Sequence, residues 1–248
     1  MSDFIAAQDR ALLEQHGLCS FEALWALQLD AVDAPNTGRD GWSAVCRLEL
    51  DGRGYYLKRQ SNHRTRSLHH PLGEPTFARE FRNIQHYGAL GVPALQAAYY
   101  AQRRIAGEHR AILVTRALDG WQDLAAYLAQ WSALDSRQHQ AIVRACGELA
   151  RLLHGAGLRH GCFYPKHIFL RSQGVGFIAC LIDLEKTRRL RGWRNGVTDL
   201  EPLFRRSSEV WGDAERRQFL QAYLQDAAAV PEWLAHLDQR GRSKASRP

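Results

Sequence analysis

Between positions 160 and 183 lie five side chains able to act on a charged substrate: His160, Cys162, Lys166, His167 and Asp183. His160-Gly161-Cys162-Phe163-Tyr164-Pro165-Lys166-His167 leads into the apolar Ile168-Phe169-Leu170, and Asp183 closes a run that begins at Val175. A carboxylate at the end of an apolar β run needs a partner or a metal. His167 can coordinate a cation or orient Asp183, although Mg²⁺ prefers oxygen. Lys166 offers a cation to a transferring anionic group, and His160 reads as a packed, hydrogen-bonded scaffold. Two β runs joined by a turn at Gly174 and Gly176 predict a hairpin whose open end holds His167 beside Asp183.

That order matches a phosphoryl-transfer layout, in which a loop H-x-D-x-x-x-x-N is followed by strand, turn, strand and a metal-binding Asp. His160, His167 and Asp183 fall in register with it, and Cys162 stands where the catalytic Asp belongs. Upstream, Gly38 and Gly41 precede the Trp42 strand, where backbone can approach phosphates. Lys58 ends a later strand, and Glu80 on the next predicted helix is placed to pair with it. Each alone reads as ordinary surface; their order links them. Asp199, in Thr198-Asp199-Leu200, is suited to bracing the catalytic loop from a helix or to serving as a helix N-terminal carboxylate. Lys186, Arg188, Arg189, Arg191 and Arg194 form either a solvated cationic face or the border of a site for an anionic acceptor. Near His160 and Lys166, Cys162 is either an inert thiol or one with a lowered pKa.

Several elements must position these groups. WSAVCRLEL, Asp51-Gly52-Arg53-Gly54 and YYLKR predict a hairpin with Tyr56 and Lys58 on one face. Residues 61–75 read as a solvated basic loop; His63, His69 and His70 lack zinc-ligand spacing. Thr76–Tyr87 predicts a helix ending at Gly88, with strands over 95–101 and 111–115. Helices follow over 121–131, 136–154 and in 197–227, with a short last one from Pro231. The expected fold is α+β with a β-rich lobe over 1–116, a helical lobe over 117–240 and a disordered basic tail over 241–248.

Lys plus Arg number 33 against 26 acidic residues, for a net charge of +7, which favours an anionic partner. No nucleic-acid-binding signature accompanies that charge, so no nucleic acid is expected. Five cysteines without a C-x-x-C pair imply reduced thiols and a cytoplasmic setting. No signal peptide and no apolar run of bilayer length is apparent.

YYLKR, HPLGEPTFARE, LVT, HGCFYPKHIFL, LIDLEKTRR and Asp199-Leu200, spread from about Asn36 to Leu203, make the chain resemble the lipopolysaccharide kinase (Kdo/WaaP) family. The resemblance implies a bilobal protein-kinase-like fold with ATP between the lobes. By position, Lys58 would hold nucleotide phosphates, Glu80 would pair with Lys58 and Asp183 would bind Mg²⁺. It also implies a sugar hydroxyl of the lipopolysaccharide core, or a similar anionic glycolipid, as acceptor. The chain would then be a monomer, cytoplasmic and peripheral to the inner membrane. Cys162 departs from the active relatives, though one branch of the family carries the same His-Gly-Cys. The implied activities are therefore two: an ATP-dependent phosphotransferase, or a pseudokinase that binds nucleotide and a partner in a stress response.

Overall fold

The computed structural model describes residues 3–37, 41–67 and 70–245. They fall into two compact units, Met1–His86 with Leu95–Asp119, and Tyr87–Ala94 with Gly120–Pro248. The division thus comes three residues later than the sequence suggests, and residues 87–94 join the second unit. The Leu181 N–H donates to Pro93 O at 3.1 Å, and the Tyr87 hydroxyl meets Thr187 Oγ1 at 3.0 Å. Those bonds tie the segment there.

The first unit contains β1 (Phe4–Ile5), α1 (Ala7–Gln15), α2 (Phe21–Ala26), β2 (Trp42–Leu50), β3 (Arg53–Ser61), β4 (Arg64–Ser67) and β5 (His70–Pro75). It continues into α3 (Thr76–Ala89), whose residues from Tyr87 on belong to the second unit, and then β6 (Ala97–Ile105) and β7 (Glu108–Arg116). Five strands form an antiparallel sheet in the order β1-β6-β7-β3-β2. The β2–β3 hairpin closes through Asp51 and Gly52, both at positive φ, as a two-residue turn matched to strand twist requires. Leu13, Leu18, Phe21 and Leu24 pack on Leu48, Leu57, Tyr99, Ile112 and Val114, which closes one sheet face with α1 and α2. Alternation along β3 buries Tyr55 and Leu57 in that core and turns Tyr56 and Lys58 to the other face.

Residues 61–75 are not the loop that their composition suggests. β4 pairs with β5, and His63 is buried with Nδ1 at 3.3 Å from Thr76 Oγ1. That Thr76 hydroxyl donates to Gln60 Oε1 at 2.8 Å, and the same oxygen accepts the Phe77 N–H at 2.9 Å. Gln60 therefore satisfies an orphan donor at the start of α3 from a distant strand.

In the second unit the expected helix over 121–131 is shorter. Residues Gln122–Asp123 form β8 against Leu170 and Phe169, and α4 (Leu124–Ala129) starts after Asp123, whose side chain caps Ala126 N–H. Helix α5 (Ser136–Gly155) opens on a capping box between Asp135 and Gln138. Then come β9 (Leu158–Arg159), β10 (Ile168–Gln173), β11 (Gly176–Leu181) and β12 (Arg188–Arg189), followed by α6 (Trp193–Ser207), α7 (Asp213–Leu224) and α8 (Val230–Ala245). Helix α8 is long, and it takes in Gly241–Ala245, where composition alone suggests a disordered tail. Lys244 Nζ lies 3.2 Å from buried Glu201 Oε2, which gives that last turn a partner. No helix among the described residues is long and apolar enough to cross a membrane.

Candidate active site

In the first unit, the alternation of β3 and the capped start of α3 bring Lys58 and Glu80 together. Nζ lies 2.6 Å from Oε1, with side chains 17% and 6% exposed. A carboxylate so removed from water fixes the direction of the ammonium. Gly41 lies against the backbone of Ser61, Asn62 and His63, leaving no room for a Cβ. Gly38 lies outside the described residues.

In the second unit, α5 delivers the chain through β9 to His160. Asp199, buried on α6, takes the His160 N–H on Oδ2 and the Gly161 N–H on Oδ1, each at 2.6 Å. It therefore braces the loop. Gly161 holds φ +82, and a Cβ there would meet Lys186 O. The loop is thus pinned to α6 on one side and to the segment after Asp183 on the other.

The β10–β11 hairpin pairs Ile168 with Leu181, and Ile182 N–H donates to His167 O at 3.1 Å. One residue further on, Asp183 takes a left-handed conformation at φ 59 and ψ 58. Such a conformation is uncommon outside glycine, and Asp tolerates it better than most residues. It brings Asp183 Oδ2 to 3.3 Å from His167 Nε2 and 3.6 Å from Cys162 Sγ. His167 Nδ1 lies 2.9 Å from Cys162 O, and His160 Nε2 lies 2.9 Å from Ile182 O. A carbonyl accepts only, so both of these nitrogens carry the proton.

Burial shapes the electrostatics. It lowers His160 and His167 from the usual imidazole range, so both rings stay neutral near pH 7. Burial, and then the Asp183 carboxylate, push the Cys162 thiol well above its ordinary range. Burial and the neighbouring carboxylate thus both oppose the reading of Cys162 as a low-pKa thiol. For Asp199, burial alone would raise the carboxyl. The His154 ring and the two backbone N–H groups overcome it and hold the group below the usual carboxylate value.

His154 is the site residue that sequence reasoning missed. Its Nε2 lies 3.2 Å from Asp199 Oδ2 and its Nδ1 lies 2.8 Å from the Tyr223 hydroxyl, joining α5, α6 and α7. In sequence it is one more residue at the end of an amphipathic helix. Lys166 is exposed, as are Arg188, Arg189 and Arg191. Arg188 and Arg189 are successive residues of β12, so their side chains leave on opposite faces. The basic run is not one flat cationic face.

The fold and this site define a kinase-like protein. A family model described as the lipopolysaccharide kinase (Kdo/WaaP) family matches residues 22–223, and the chain belongs to that family. It is 34% identical over 174 residues to Protein InaA of Escherichia coli K12, covering 68% of this chain and 79% of that one. It is 25% identical over 254 residues to the lipopolysaccharide core heptose(I) kinase WaaP of Pseudomonas aeruginosa, covering 88% of each chain. Among solved structures, WaaP in complex with acyl carrier protein superposes with a TM-score of 0.73 at 23% identity, over 98% of this chain and 99% of that one. That structure establishes the kinase-like fold.

Proposed function

We propose that this protein is an ATP-dependent, Mg²⁺-requiring phosphotransferase acting on a hydroxyl of a lipopolysaccharide-core sugar or a similar anionic glycolipid. The observation that carries the reading is the Lys58–Glu80 pair, a cation held 2.6 Å from a nearly buried carboxylate. An ammonium so fixed suits nucleotide phosphates, because phosphoryl transfer depends on positioning and charge neutralisation. Asp183, with its side chain 35% exposed, offers carboxylate oxygen of the kind Mg²⁺ prefers, and His167 adds a nitrogen. Bound Mg²⁺ would neutralise charge developing on the transferred group. Gly41 permits close backbone packing beside the β2 strand. Arg189 and Arg191 would meet the anionic acceptor at the cytoplasmic surface of the inner membrane, with Lys166 near the transferring group.

Transfer would be slow, because the loop has no carboxylate where Cys162 stands. A loose transition state tolerates that loss better than most reactions do. The buried, protonated thiol also favours a second reading, a pseudokinase that binds nucleotide and a partner. The deciding experiment incubates the protein with ATP, Mg²⁺ and purified lipopolysaccharide core and follows the mass of the core. A gain of one phosphate, lost in Asp183→Ala, supports transfer. Nucleotide binding with no mass gain supports the second reading, and absence of nucleotide binding rejects both.

A further inference from the structure

Three metal-binding side chains converge in the second unit without needing any nucleotide. His160 and Cys162 are fully buried and His167 is 7% exposed, and one ligand atom from each lies within 4.8 Å of the other two. The hydrogen bonds to Ile182 O and Cys162 O fix both imidazole tautomers. His160 Nδ1 and His167 Nε2 are thereby left as bare lone pairs. Nδ1 of His160 is buried with no hydrogen-bond partner. An orphaned lone pair in a dry interior is costly unless something occupies it. His167 Nε2 faces Asp183 Oδ2 at 3.3 Å, so two acceptors confront each other with no proton between them. A cation resolves that contact.

The donor set says which cation. Two imidazole nitrogens and one sulfur suit a borderline or soft divalent ion, whereas Mg²⁺ takes oxygen. Each ring is oriented by a backbone carbonyl on its other nitrogen, the outer arrangement that zinc-binding histidines use. A tetrahedral ion keeps its donors roughly 3.3–3.8 Å apart, so the cluster must contract by about 1 Å. We propose that His160, Cys162 and His167 form a binding site for a thiophilic divalent ion such as Zn²⁺, with Asp183 beside it at 3.3 Å from His167 Nε2 and 3.6 Å from Cys162 Sγ. On binding, the Cys162 thiol gives up its proton to solvent, and the resulting thiolate forms the metal–sulfur bond. No electron changes hands. Asp183, 35% exposed and 3.3 Å from His167 Nε2, lies beside the cluster and provides the point of entry.

The test uses the metal-stripped full-length protein, with no nucleotide, and titrates in Co²⁺ as a spectroscopic stand-in for Zn²⁺. The expected result is a single site with tetrahedral visible bands and a thiolate-to-cobalt charge-transfer band. One proton is released per ion, and Zn²⁺ but not Mg²⁺ displaces the cobalt. Cys162→Ser abolishes the charge-transfer band, and His167→Asn weakens or removes the visible bands. Absence of a thiolate band in the unaltered protein overturns the proposal whether or not any variant folds. So does a band that survives in Cys162→Ser, which would assign the sulfur to another cysteine. No ATP turnover enters these readouts, so failure of the phosphotransferase reading leaves them unchanged.

Discussion

Lys58 and Glu80, 22 positions apart, form a 2.6 Å ion pair in which the carboxylate side is nearly sealed from water. Removing the cation strands a buried negative charge. Lys58→Met is therefore expected to lower unfolding stability by about 3 kcal/mol in urea denaturation. Lys58→Met with Glu80→Met should recover much of the loss, since both charges are then gone. If phosphates use this ammonium, Lys58→Met also weakens ATP binding by about 10- to 100-fold, the loss of a charge-assisted hydrogen bond. A double variant no more stable than the single one would show that the pair contributes little.

Asp199→Asn should be among the most damaging isosteric changes in the chain. The native carboxylate accepts two backbone N–H groups at 2.6 Å and faces His154 at 3.2 Å. An amide keeps one acceptor and turns its NH₂ toward a donor that it cannot serve. A loss of about 2–4 kcal/mol is expected, read by thermal or urea unfolding. A shift under about 0.5 kcal/mol, the range of an ordinary surface substitution, would contradict the bracing role.

Much of this site was legible because local chemistry and global fold agree there. Asp51-Gly52 specifies the β2–β3 turn, the Gly174–Gly176 turn specifies the β10–β11 hairpin, and period-two alternation turns Lys58 away from the core. Pairings that depend on tertiary contact were not legible. Gln60 capping α3 and His154 joining Asp199 to Tyr223 leave no local pattern. The basic stretch after Ser61 reads as solvated because Arg and His are usually exposed, yet His63 finds a buried partner in Thr76. The end of α8 reads as disordered from its charge, and the buried Glu201 that receives Lys244 lies 43 positions earlier.

Gly161→Ala tests the geometry just before Cys162. The residue sits at φ +82, and its Cβ would meet Lys186 O. Left-handed strain alone costs about 1–2 kcal/mol, and a clash with backbone adds to it. Expected together are a lower melting temperature and faster labelling of Cys162, because the loop must shift and admit solvent. Unchanged melting and labelling would mean that the loop relaxes freely, against a pinned arrangement.

Alkaline pH should destabilise the fold through its tyrosines. Burial raises Tyr55, Tyr87, Tyr99, Tyr100, Tyr127 and Tyr223 above the ordinary phenol value. In the folded state these six of eight tyrosines keep protons that the unfolded chain loses near pH 10. Their contribution is full below that pH and declines above it, by up to about 1.4 kcal/mol per pH unit for each group. Tyrosinate absorbance should therefore rise in a delayed, cooperative step coincident with unfolding. A smooth titration of all eight near pH 10 in the folded protein would contradict the burial.

Cys162→Asp tests the phosphotransferase reading by placing a carboxylate where that reading expects a general base. In the apo protein it places a second acid where Sγ now stands, 3.6 Å from Asp183 Oδ2, in a fully buried setting. Two carboxylates that close share a proton, so without a divalent ion the variant should be less stable by about 2 kcal/mol and should take up a proton near neutrality. Mg²⁺, bound by the added oxygen donors, is expected to reverse that loss. With ATP, Mg²⁺ and acceptor present, turnover should rise by about 10²- to 10⁴-fold, the usual worth of a positioned general base. A rise of less than about threefold, in a variant shown to fold and to bind ATP, would mean that the base is not what limits this chain.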